Sequence, residues 1–153
     1  MGNLGDCIMN NQFAILVADR NRNVREFLKR EFEADGYLVR LAKDEKELLM
    51  MVEGEIPPDL LILDLDMPYS GGVQLLEKLI ILRPRMPVVI HTLLTEHIGH
   101  TAVKKAAAFL EKRGNNIDHL KTVVKSTLMK SYPHRFELDE SAERILEEDS
   151  RLR

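Results

Sequence analysis

The chain has 153 residues, which suits one domain of ordinary size. Hydrophobic residues make up 44% and charged residues 31%, a balance that excludes a wholly disordered chain. Twenty-two basic against 25 acidic side chains leave a net charge of −3, which argues against a protein that coats nucleic acid.

Residues 1–12 are rich in Asn and Gly and without period, so they are expected to form a tail. The run FAILVA at 13–18 is almost wholly apolar and ends at Asp19, as a strand buried on both faces would. A helix is predicted over 21–35, because Val24, Phe27, Leu28 and Phe32 recur at helical spacing and Gly36 can end it. A second strand covers 37–42. Asp44 can cap the next helix, which carries Leu48, Leu49 and Val52. After Pro57 and Pro58 comes DLLILD at 59–64, the most strand-like run of the chain, then a loop over 67–72. Residues 73–82 form an apolar helix, 87–91 a fourth strand ending at Thr92, 96–105 a weaker helix, and 107–111 a fifth strand ending at Lys112. A helix over 115–129 places Ile117, Leu120, Val123, Val124 and Leu128 on one face.

Five strands alternating with five helices imply an α/β fold, a doubly wound parallel sheet. Ligands in such folds bind beyond the carboxyl ends of the strands. There the chain sets Asp19, Asp64, Thr92 and Lys112. Two carboxylates, a hydroxyl and an ammonium on one edge can hold a hard divalent cation and a phosphoryl group.

These features resemble the receiver domain of two-component response regulators, the CheY-like (flavodoxin-like) family. The resemblance covers about 13–131. It is carried by ILVAD at 15–19, PDLLILDLDMP at 58–68, Gly72, Thr92 and FLEK at 109–112. It implies that Asp64 accepts a phosphoryl group from a sensor histidine kinase or phosphotransfer protein. It also implies that Asp19, Asp64 and the backbone carbonyl of Asp66 hold Mg2+, that Lys112 pairs with phosphoryl oxygens, and that Thr92 and Phe109 act as the switch pair. A domain of this kind signals by protein contact and is not an enzyme. The expected partition is a tail at 1–12, a receiver domain at 13–132 and an amphipathic helical extension at 133–153.

Three positions depart from the pattern. Arg20 stands where the family has the second member of an acidic pair, a charge change of two units. At about 5 Å from a divalent ion this costs roughly 3 kcal/mol even at the dielectric of water, or about two powers of ten in affinity. Mg2+ binding is therefore expected to be weak unless Asp66 supplies a carboxylate, and a degenerate pseudo-receiver that is never phosphorylated is the alternative. Arg113 stands where the family has a proline, and His91 beside Thr92 is also unusual. A remote alternative comes from LILDLDM, which also resembles the nucleophile motif of haloacid-dehalogenase-type phosphatases; in that family the motif normally belongs to the first strand.

Leu138, Ala142, Ile145, Leu146 and Leu152 form a helical stripe in the C-terminal segment. It is expected to dock on its own domain or serve a partner, a homodimer among the choices. It is too short and too acidic for a DNA-binding output, so no direct nucleic acid contact is expected. The lone Cys7 cannot close an internal disulfide. No apolar run approaches bilayer length, no secretory leader opens the chain, and Asp6 replaces the Ser or Thr of a myristoylation signal. A cytoplasmic protein without membrane association is the expectation.

Overall fold

The computed structural model describes residues 12–68, 71–93, 95–112 and 117–151, with the backbone alone for 137–143. The tail, Cys7, Arg113 and Leu152 lie outside the described residues, as do the side chains of Leu138 and Ala142. The elements are β1 (Ala14–Ala18), α1 (Arg22–Ala34), β2 (Leu38–Ala42), α2 (Glu45–Glu53), β3 (Leu60–Leu63), α3 (Gly72–Leu82), β4 (Val88–Thr92), α4 (Thr101–Lys104), β5 (Ala108–Glu111), α5 (Ile117–Ser131) and α6 (Pro133–Arg151). The five strands form a sheet of order β2-β1-β3-β4-β5, with every neighbouring pair parallel.

Alternation along the strands splits the core between two faces. Leu16, Ala18, Leu61, Leu63 and Ile90 meet Leu48 and Val52 of α2, Leu75, Leu76 and Leu79 of α3, and Ala102 and Val103 of α4. Ile15, Val17, Leu60, Ile62 and Val89 meet Leu28 and Phe32 of α1 and Leu120, Val124 and Leu128 of α5. All four residues of β3 are buried, as a central strand covered on both sides requires.

Local signals set the ends of the elements. The Asn21 side chain accepts from the amides of Asn23 and Val24 and so caps α1. Gly36 adopts φ 92° just beyond that helix. Asp44 accepts from the Glu47 amide while the Glu47 carboxylate accepts from the Lys43 amide. The expected helix over 96–105 is a single turn, α4, preceded by turns over 96–99. Its start is fixed by His100, whose Nδ1 accepts from the Ala102 amide at 3.1 Å. Gly99 precedes that cap and weakens any helical continuation.

The last helices tie down the opposite end of the sheet. Asp59 accepts the Ala14 amide on Oδ2 at 2.7 Å, Arg135 Nη1 on Oδ1 at 2.8 Å and the Tyr132 hydroxyl on its carbonyl at 2.7 Å. The Arg135 guanidinium lies 3.9 Å from the Phe13 ring centroid, and Phe136 stacks on the same ring at 5.2 Å. The first turn of α6 is thereby joined to the entry ends of β1 and β3.

Gly72 opens α3 pressed against the loop after β3. A Cβ there would lie 2.0 Å from the Leu65 carbonyl oxygen, and backbone cannot yield as a side-chain tip can. Gly72→Ala should lower the unfolding free energy by about 2–3 kcal/mol, read as a lower urea midpoint at unchanged slope.

Candidate phosphoacceptor site

In-register parallel pairing brings the exit ends of the strands level: Ala18 lies beside Leu63, Leu63 beside Ile90 and Thr92 beside Glu111. The backbone continues that pairing one residue further. The Asp64 amide donates to the Ala18 carbonyl at 2.9 Å, and the Lys112 amide to the Thr92 carbonyl at 2.9 Å. Four polar side chains separated by up to 93 positions in the sequence are thus delivered to one edge.

Their contacts are mutual. Asp64 Oδ1 accepts from the Thr92 hydroxyl at 2.8 Å and from the Asp66 amide at 3.0 Å, while Oδ2 accepts from Lys112 Nζ at 2.8 Å. Lys112 Nζ also meets Asp19 Oδ2 at 2.5 Å. Asp19 Oδ1 accepts from the Asn21 amide at 2.8 Å. Asp19, Asp64 and Thr92 are 2%, 5% and 0% exposed. One partly buried ammonium therefore serves two buried carboxylates. Burial pushes the Asp19 carboxyl up, with the Lys112 hydrogen bond partly offsetting it. Burial works against the Lys112 charge, but the hydrogen bonds it donates to Asp19 and Asp64 outweigh it and hold its pKa above the usual lysine range.

The comparisons with known proteins agree on one family. The family model described as the response regulator receiver domain matches residues 15–125. The chain belongs to that family. Response regulator MprA from Mycobacterium ulcerans is 38% identical over 78 residues, which are 51% of this chain and 33% of that protein. MprA from Mycobacterium tuberculosis is 38% identical over the same length and 34% covered, so the chain spans about a third of these relatives. Among solved structures, response regulator TrrA from Thermotoga maritima in complex with Mg(2+)-BeF has a TM-score of 0.70 and 28% identity, covering 76% of this chain and 99% of that one. A CheY-like receiver domain protein from Methanospirillum hungatei has a TM-score of 0.72 and 28% identity, covering 80% and 98%.

Within this receiver domain, Asp19, Asp64, Thr92 and Lys112 stand together as the strand ends predict. Phe109, opposite Ile90 on β5, is partly buried against the core beneath α3 and α4. Asp66, expected to offer a backbone carbonyl and only alternatively a carboxylate, keeps that carboxylate out of the cluster. Its side chain pairs with Arg20 at 3.4 Å on the rim, both more than half exposed, because the neighbouring guanidinium draws it outwards. Only the Asp66 amide touches Asp64. Arg25 has no motif to mark it, yet its Nη1 donates to the carbonyls of Asp19 and Arg20 at 2.8 and 3.0 Å and so braces the loop after β1.

The donor set suits a hard divalent ion. Two carboxylates converge on a single point, Lys112 Nζ, and carry one negative charge more than that ammonium neutralises. The set is lean: among the described residues, no three His, Cys, Asp or Glu side chains are grouped to hold a metal.

His91 turns to the other face of β4, beside a cavity of about 540 Å3 between α1 and α5 that Lys112, Phe27 and Leu120 also line. Its Nδ1 is buried without a hydrogen-bond partner in the structure. Burial, aided by the Lys112 charge, lowers its pKa to about 4, against a weaker opposing pull from Asp64. A histidine with a depressed folded pKa contributes stability that is complete above the unfolded value of 6.5 and lost as pH falls through about 4. In His91→Val, the difference in unfolding free energy between pH 7 and pH 4 should shrink by about 2–3 kcal/mol. Urea titrations of both proteins at the two pH values measure it.

Proposed function

We propose that the chain is a phosphoryl-accepting signalling domain in which Asp64 is the phosphoacceptor. The observation that supports this most is the pair of contacts on the Asp64 carboxylate. Thr92 and Lys112 already touch the two oxygens near which a phosphoryl group would sit, and the Lys112 ammonium offsets its charge. In the reaction, an Asp64 carboxylate oxygen attacks phosphorus of a phosphohistidine or of acetyl phosphate. The new O–P bond replaces the P–N or P–O bond of the donor, and imidazole or acetate leaves. The donor protein is a sensor histidine kinase or a phosphotransfer protein. The resulting acyl phosphate adds charge and acceptors beside Thr92, which biases the Thr92 and Phe109 side chains and the surface above them. Output is by contact with another protein; the net charge of −3 does not favour nucleic acid. Among the described residues no helix is long and apolar enough to cross a membrane, in keeping with a cytoplasmic role.

Asp19, Asp64 and the Asp66 backbone carbonyl would hold Mg2+, which neutralises phosphoryl oxygens as they approach the carboxylate. Arg20 weakens that binding, and this one substitution favours the second reading, a pseudo-receiver that works without phosphorylation.

Intact mass after acetyl phosphate treatment with Mg2+ should show one added phosphoryl group, absent in Asp64→Asn. Labelling of Asp64→Asn at the wild-type level would overturn the assignment, and no labelling of the wild type would favour the pseudo-receiver.

Arg20→Asp should tighten Mg2+ by about tenfold, a value discounted from the bare Coulomb estimate because the Arg20 head lies 59% exposed to screening water. Calorimetric titration of Mg2+ into both proteins gives the ratio.

A further inference from the structure

The end of the sheet far from Asp64 carries two features that the receiver reading leaves unused. One is the outer part of α6. Its first turn is anchored through Arg135 and Phe136, but every residue from Arg144 to Arg151 is exposed. Ile145 is 66% and Leu146 39% exposed. A helix left in water over this length is marginal on its own and gains stability by burying an apolar face. The sequence of α6 holds three arginines against seven carboxylates. Two such helices laid side by side would set like charges against each other.

The other feature is a cavity of about 300 Å3 bounded by α3, the start of β4, the turn before β5 and the end of α5. Leu79, Met86, Val88 and Ala106 give it an apolar floor. Arg83, Arg85 and Lys105 stand around it, the last two exposed, and no carboxylate lines it among the described residues. Ser131, the last residue of α5, is also on its wall, so α6 sets off from the rim of this cavity. The helix does not fill it, since residues 144–151 of the same chain are exposed.

We propose that this cavity receives the outer turns of α6 from a second copy of the chain, so that two copies exchange their C-terminal helices. Ile145 and Leu146 enter the apolar floor, and Glu147 and Glu148 face Arg85 and Lys105. Each copy would give one helix and one cavity, so the exchange is reciprocal and a two-fold axis closes the assembly. The contact does not rest on phosphorylation of Asp64 and is measured without a phosphoryl donor, so the two proposals stand or fall separately.

Sedimentation equilibrium of the full chain should show a dimer that weakens as salt is raised. Arg85→Glu with Lys105→Glu should raise the dimer dissociation constant by at least about tenfold, as loss and reversal of surface ion pairs would. Glu147→Arg with Glu148→Arg should do the same, and the four substitutions together should restore the dimer. All these positions are exposed, and circular dichroism checks that each variant keeps its fold. Ile145→Ser with Leu146→Ser should leave a folded monomer. A monomeric wild type, a dimer indifferent to the Arg85 and Lys105 reversals, or a failure of the fourfold variant to recover association would each overturn the proposal.

Discussion

The Lys112 ammonium, held between Asp19 and Asp64, is the interaction on which the exit end of this sheet depends. Two carboxylates this deeply buried would repel each other and lose hydration without it. With it, the cluster keeps one excess negative charge in a place where charge is poorly screened. That excess negative charge favours cations over anions at this edge of the sheet. Thr92 and the Asp66 amide complete the hydrogen bonding of Asp64, so the carboxylate is oriented before any partner arrives.

The sheet makes this arrangement inexpensive in conformational terms. Each polar residue sits at or one residue beyond the exit end of a strand whose interior is apolar, and parallel register aligns those ends without any special loop. Arg25 adds a brace from α1 to the loop after β1. At the opposite end Asp59 acts as a second hub, joining β1, β3 and the first turn of α6 through three hydrogen bonds. The domain thus has a polar knot at each end of the same central strand.

Departures from the family pattern concentrate around that first knot. Arg20 exchanges a carboxylate for a guanidinium, and the guanidinium settles on Asp66 at the rim rather than within the buried cluster. His91 places a neutral imidazole against the apolar face under α1 and α5, one residue from the hydroxyl that touches Asp64. Both changes alter the electrostatics around Lys112 while leaving its two contacts intact.

The sequence determined the five strands, because four- to six-residue apolar runs between turn residues have few other ways to hide both faces from water. It also marked Asp19, Asp64, Thr92 and Lys112, since a polar residue ending such a run must fall at the sheet's exit edge. Periodicity found α1 and α5, whose apolar stripes are strong, and overextended α4, where the His100 cap and Gly99 outweigh a weak stripe. Only the tertiary structure decided where flexible or surface side chains go. Asp66 turned to Arg20, Arg25 reached back to two carbonyls, and Arg135 crossed to Asp59, because each choice depends on a partner distant in sequence or on a surface that exists only after folding. The burial of His91 belongs to the same class: its neighbours on β5 and Lys112 come from a strand that β4 meets only in the assembled sheet.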